Sequence, residues 1–267
     1  GIRYLIILFG IRRKAMIRVI MRGCNGRMGQ MISGLVEADD SIEIVAGIDP
    51  SDKVNNAYPV FKSIVDCNVK ADAIIDFAST NEFDELLDYA VNNQTPVVVC
   101  TTGLSEAHLN HLKEASTKVA ILRSANMSLG INMLMKLLKQ AVNVLADAGF
   151  DIEIVEKHHN QKLDAPSGTA LALADCMNEE LNNEYAYAYD RSQKRETRVK
   201  KEIGISAVRG GSIVGEHDVI FAGEDEVIEF KHTAYSKAVF AKGAVEAGKF
   251  LKGKGPGLYD MSDVIQF

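Results

Sequence analysis

Two adjacent imidazoles, His158-His159, sit in the run Glu156-Lys157-His158-His159-Asn160-Gln161-Lys162-Leu163-Asp164-Ala165-Pro166-Ser167-Gly168-Thr169-Ala170. Histidine titrates near neutral pH and suits general acid–base work. Lysine is a lasting cation that holds an anion or, once desolvated, donates a proton. Pro166 has a φ suited to a first helical turn, Ser167 can accept from free backbone N–H groups, and Ala170-Leu171-Ala172-Leu173-Ala174 continues as good helix former. The N–H groups of Gly168 and Thr169 are then unpaired donors at the positive end of a helix dipole, where a small carboxylate can dock, with Lys157 and Lys162 adding charge. The chemistry these types and spacings allow is proton transfer beside a bound anion. Taken singly, the parts read as an exposed histidine pair and a plain helix cap. Neighbouring residues on a strand face opposite ways, so the pair is a poor metal-ligand set and no metal is expected.

The element that must position the histidines is Asp151-Ile152-Glu153-Ile154-Val155, whose alternation is that of a strand with one buried face. A second candidate site lies near the start, where the strand Ile17-Arg18-Val19-Ile20-Met21 runs into Arg22-Gly23-Cys24-Asn25-Gly26-Arg27-Met28-Gly29 and then a helix. Glycine permits the tight turn and the close approach of a pyrophosphate, and the helix start supplies donors. The G-x-x-G-x-x-G spacing departs from the common G-x-G-x-x-G, and many βα turns need glycine for backbone reasons alone. Context favours a dinucleotide: Glu43-Ile44-Val45-Ala46-Gly47-Ile48 is a second strand ending at Asp49, about 20 residues beyond the motif, where an acid can receive the ribose hydroxyls. Gly23, Cys24, Asn25, Gly26, Arg27, Met28 and Asp49 are therefore the dinucleotide candidates.

Strand and helix patterns then alternate: Ala73 to Phe77, the helical stripe Phe83, Leu86, Leu87, Ala90 and Val91, Pro96 to Cys100, a helix capped by Ser105, and Val119 to Leu122. This order predicts a Rossmann-like parallel sheet in an α/β protein, with ligands beyond the carboxyl ends of the strands. That places Phe77-Ala78-Ser79, Cys100-Thr101-Thr102-Gly103 and Ser124-Ala125-Asn126-Met127 around one crevice. After Gly130, the stripe Ile131, Leu134, Met135, Leu138, Val142 and Leu145 predicts a long helix. Ile203 to Val208, His217 to Ala222 and Val227 to Phe230 predict strands of a mixed or antiparallel sheet in a second, α+β domain, and helix returns from Ser236 through Leu251. The division expected is a dinucleotide-binding domain over 16–127, an inserted substrate-binding and oligomerisation domain over 128–235, and a C-terminal return to the first domain over 236–267.

The 267 residues, 47% hydrophobic and 25% charged, suffice for two domains of an ordinary globular protein. A net charge of -6 opposes a nucleic-acid role. The polar stretch 184–200, with Arg191, Lys194, Arg195, Arg198 and Lys200, reads as a solvated loop. Cys24, Cys67, Cys100 and Cys176 lack C-x-x-C spacing, which favours reduced thiols and a cytoplasmic location. The apolar run at the start is too short to span a membrane, and its basic cluster follows rather than precedes it, so residues 1–15 read as an N-terminal extension.

The run from Glu156 to Ala170 resembles the E-x-H-H-x-x-K-x-D-A-P-S-G-T-A signature of dihydrodipicolinate reductases, and Arg209 to His217 also resembles a run of that family. Asn160 and Gln161 replace basic residues common there. The resemblance implies reduction of 4-hydroxy-tetrahydrodipicolinate by NADH or NADPH in the diaminopimelate route to lysine. It makes His158 the proton donor or acceptor, Lys162 a second donor, and His159, Gly168 and Thr169 contacts to a small dicarboxylate heterocycle. Thr101, Thr102, Ala125, Asn126 and Met127 would meet the cofactor, and an open sheet in the inserted domain would build a homotetramer. Two rivals are another nicotinamide-dependent reductase of a small acid or aldehyde, and a non-catalytic NAD-binding sensor. Asp49 followed by Pro50 favours NADH over NADPH, while Arg22, Arg27 and Lys53 lie near enough in sequence to accept a 2′-phosphate, so dual use with NADH preferred is expected.

Overall fold

The computed structural model describes residues 16–266, and the expected extension over residues 1–15 lies outside the described residues. The first half runs β1 (Ile17–Arg22), α1 (Arg27–Glu37), β2 (Ile42–Ile48), β3 (Val60–Phe61), β4 (Ala73–Asp76), α2 (Phe83–Asn93), β5 (Val97–Val99), α3 (Glu106–Ser116) and β6 (Ala120–Arg123). The remainder runs α4 (Leu129–Asp147), β7 (Asp151–His158), α5 (Gly168–Glu180), β8 (Ala186–Ala188), β9 (Glu202–Arg209), β10 (Gly215–Ala222), β11 (Val227–Ala234), α6 (Ala238–Leu251), β12 (Gly257–Tyr259) and α7 (Met261–Val264).

Val19, Ile20, Met21, Ile74, Ile75, Val97 and Val98 are fully buried, as strands covered on both faces must be. They belong to a parallel sheet of order β12-β6-β5-β4-β1-β2-β3. Ile32 and Val36 of α1 share one core with Ala241, Ala244 and Leu251 of α6. Phe83, Leu86 and Leu87 of α2 share the other with Leu112 and Ala115 of α3. Ser105 caps α3, its hydroxyl accepting from the His108 N–H at 3.1 Å. The C-terminal segment thus returns to the first sheet, and β12 extends it by pairing with β6, an edge strand too short for its sequence to announce.

The second sheet, β11-β10-β7-β9-β8, is mixed rather than wholly antiparallel. β10 runs antiparallel to both β7 and β11, whereas β7–β9 and β9–β8 are parallel pairs. Two returns make this possible: α5 carries the chain from the far end of β7 back to its starting end for β8, and the stretch 189–201 carries it back again for β9. Helices α4 and α5 cover one face, where Leu134, Leu138, Leu173 and Met177 pack on Ile152, Ile154, Ile203, Val219 and Phe221. The stretch 184–200 is not all loop, since it contains β8. Its Arg198 donates to Glu153 Oε1 (2.9 Å), Asp151 Oδ1 (3.0 Å) and the Ile152 carbonyl (2.8 Å), so that cation is tied to the sheet. Among the described residues no helix is long and apolar enough to cross a membrane.

Candidate active site

The turn after β1 is shaped by glycines. Gly23 has φ +80°, and a Cβ there would lie 2.4 Å from the Phe77 carbonyl oxygen; a Cβ at Gly29 would lie 2.1 Å from the Gly23 carbonyl oxygen. The first glycine therefore lets β1 turn beneath the loop after β4, and the third lets α1 sit directly on the turn. Gly26, the N-cap of α1, makes no side-chain cap, which leaves the helix start open to an anion. Gly29→Ala is expected to destabilise the protein and weaken dinucleotide binding together, checked by thermal melts with and without NADH; a melt and ligand shift equal to wild type would contradict this.

Two cavities flank this turn. One, of about 440 Å³, is lined by Gly23, Gly26, Asp49, Pro50 and Lys62. The other, of about 750 Å³, is lined by Met28, Cys100, Thr101, Thr102, Ser124, Ala125, Asn126 and Met127, and also by Thr169 from α5. The carboxyl-end crevice expected from strand order thus opens onto the start of α5. Asn126 Nδ2 donates to Thr169 Oγ1 at 3.1 Å and joins the two walls. Lys62, Lys237 and Phe240 also line these cavities, and no sequence signal marked them.

Several side chains of the turn and the crevice also have partners within the protein. Cys24 is fully buried against Gly47 and Tyr58, and burial raises its thiol pKa to about 11, so only its backbone borders the turn. The Asn25 N–H donates to Asp49 Oδ2 at 3.0 Å and its amide to the Ser51 carbonyl, fixing the turn to the end of β2. Thr101 donates its hydroxyl to Asp76 Oδ2 at 2.7 Å. Met127 is packed into the first core. Arg22, 4% exposed, donates to Asp76 Oδ1 at 2.8 Å and is no free phosphate clamp. Arg27 is exposed at the start of α1.

The histidine site rests on a fully buried carboxylate. The β7 alternation puts Glu156 and His158 on the covered face with Ile152 and Ile154, and Lys157 on the other, where it pairs with Glu216 at 3.0 Å. Lys157 is therefore not part of the anion site. Arg209 lies opposite His158 on β9 and grips Glu156 with two bonds of 2.7 Å. The Ser167 N–H adds a bond of 2.8 Å, and His158 Nδ1 sits 2.7 Å from Oε2. Burial pushes the Glu156 carboxyl up, but the bonds from Arg209, His158 and Ser167 outweigh it and hold the group below the usual carboxylate range. An ionised Glu156 only accepts, so Nδ1 of His158 carries a proton and Nε2 is the atom left for chemistry. A Cβ at Gly215 would lie 3.1 Å from that Nε2, so glycine keeps the space before it clear.

Ser167 caps α5, its hydroxyl accepting from the Ala170 N–H at 3.1 Å, a bond worth about 1 kcal/mol. Pro166 precedes the cap instead of entering the first turn, because the cap residue takes an extended backbone, φ -65° and ψ 150°. Gly168 and Thr169, the first two helical residues, have no intrahelical carbonyl for their N–H groups. Lys162 is paired with Asp164 at 2.8 Å on the loop between β7 and α5, and its charge reaches His217. His159, partly exposed, starts that loop. Glu156, Ser167, Arg209 and His217 complete the cluster: the sequence marked Ser167 only as a helix cap and the other three only as parts of the two signature runs, although Glu156 shares strand parity with His158. Among the described residues no group of three or more His, Cys, Asp or Glu is placed to hold a metal.

A doubly wound sheet with an open glycine turn, its carboxyl-end crevice reaching Thr169 at the start of α5, is the architecture of a nicotinamide-dependent oxidoreductase. The family models described as "Dihydrodipicolinate reductase, N-terminus" and "Dihydrodipicolinate reductase, C-terminus" match residues 17–127 and 130–265. The 4-hydroxy-tetrahydrodipicolinate reductase of Caldanaerobacter subterraneus subsp. tengcongensis is 51% identical over 94% of this chain and 99% of its own. That of Clostridium novyi is 48% identical over 94% and 99%. The chain belongs to the dihydrodipicolinate reductase family. The dipicolinate-bound dihydrodipicolinate reductase from Paenisporosarcina sp. TG-14 shares its fold with a TM-score of 0.77 at 25% identity, covering 94% of this chain and 100% of that one.

Proposed function

We propose that the chain reduces 4-hydroxy-tetrahydrodipicolinate to tetrahydrodipicolinate with NADH or NADPH, the activity its relatives are named for. The observation that carries this reading is the Glu156-held His158 beside the unpaired N–H groups of α5, with Thr169 bonded to Asn126 in the dinucleotide crevice. When bound, the nicotinamide supplies the hydride. The Gly168 and Thr169 N–H groups, His159 and Lys162 hold the carboxylates, and His158 Nε2 and Lys162 handle the proton. A sensor would have no use for an imidazole oriented by a buried, ion-paired carboxylate. The test is calorimetric titration of pyridine-2,6-dicarboxylate into the NADH complex. One site per chain is expected, and no binding would remove the heterocycle from this crevice.

The division into 16–127, 128–235 and 236–267 follows from the same reading. For the cofactor, Asp49 borders the smaller cavity and repels a 2′-phosphate, while Pro50 offers no donor. With Arg22 held by Asp76, Lys62 on the same cavity wall is the cation best placed to tolerate NADPH. Both cofactors should serve, with the higher specificity constant for NADH. An NADPH preference of about tenfold, roughly 1.4 kcal/mol, would mean that the cations outweigh Asp49.

The uncovered face of the second sheet carries Val208 and Val227, 43% and 58% exposed, and is the surface through which four chains would associate. Light scattering at micromolar concentration should report a tetramer, and monomer alone would refute the assembly.

A further inference from the structure

His217 lies on the covered face of β10, 4% exposed, directly across from Glu156 on β7. Its Nε2 is 2.9 Å from the Ser167 hydroxyl. That hydroxyl already accepts from the Ala170 N–H, so its own proton is free to point at the imidazole, and Nε2 acts as the acceptor. The ring also meets His158 edge to face, with centroids 5.1 Å apart and planes at 70°. Ser167 is therefore held at two points, its N–H by Glu156 and its hydroxyl by His217.

We propose that His217 is a positioning residue of this site: by accepting from Ser167 it fixes the capped start of α5, and with it the Gly168 and Thr169 donors that face the substrate carboxylate. The inference rests on the functional reading above and adds a residue that acts through Ser167 rather than on the reacting atoms. The role requires a neutral imidazole. Burial first, and then the neighbouring His158, push its pKa down to about 4, so it remains an acceptor across the neutral range.

Two substitutions separate this role from packing. His217→Phe keeps a ring edge against His158 and loses the acceptor, whereas His217→Gln can set an amide oxygen near the place of Nε2. The measurement is the Kd of pyridine-2,6-dicarboxylate for the NADH complex, with NADH affinity measured alongside. The Phe variant should bind the dicarboxylate about tenfold more weakly, equivalent to roughly 1.4 kcal/mol. The Gln variant should stay within about threefold of wild type, and NADH affinity should be unchanged in both. In turnover, the Phe variant should raise KM for the heterocycle more than it lowers kcat. If the Phe variant no longer binds NADH, Ser167→Ala, which removes the same hydroxyl, should give the tenfold loss instead. Wild-type affinity in the Phe variant, or equal losses in Phe and Gln, would overturn the inference. A wild-type protein that binds NADH but no dicarboxylate would overturn the functional reading, and this inference with it.

Discussion

Arg209→Met is expected to lose about 3–5 kcal/mol of stability, because it leaves the Glu156 carboxylate buried without its ion-pair partner. Glu156 has no exposure, and Arg209 meets both of its oxygens at 2.7 Å. The remaining donors, His158 and the Ser167 N–H, cannot replace a guanidinium fork. The sign with pH follows from the depressed folded-state pKa of Glu156. The stability it contributes is present above the unfolded carboxyl value, roughly 4.3, and is lost as pH falls through the lower folded value. The variant should therefore lose most at neutral pH and approach wild type in acid. Urea unfolding at neutral and acidic pH checks this, and a loss below about 1 kcal/mol at pH 7 would show that the pair is not doing this job.

His158→Gln and Lys162→Ala should each lower turnover by about 100-fold or more, the usual scale of general acid or base help. Neither side chain lines the two cavities beside the glycine turn, so NADH affinity should hold. The two substitutions differ in what else they disturb. Gln at 158 can still reach Glu156, keeping that carboxylate bonded, whereas Ala at 162 frees Asp164 as well as removing a cation. Steady-state kinetics with saturating NADH would check both, and near wild-type kcat in the pair would take the chemistry away from this loop.

What could be read in the sequence was local. The alternation of Asp151 to Val155, the serine cap before Ala170, and the glycines around Gly26 each act over a few residues, and each appears where the pattern placed it. The ion pair at the heart of the site joins residues 53 apart, brought together by the register of β7 against β9. His217 reaches Ser167 across 50 residues in the same way. No local pattern encodes such partners. Strand parity did carry one unused signal: it separates Lys157 from Glu156 and His158, and so excludes Lys157 from the anion site. Nor does a local pattern show that Asn25 and Thr101 are bonded within the protein as well, Asn25 to Asp49 and Ser51 and Thr101 to Asp76.

The most direct measurement is the rate of NADH oxidation on addition of freshly formed 4-hydroxy-tetrahydrodipicolinate, wild type beside His158→Gln. The site described here predicts oxidation that requires the heterocycle and falls by about 100-fold in the variant. Oxidation independent of the heterocycle, or equal rates in the two proteins, would contradict it.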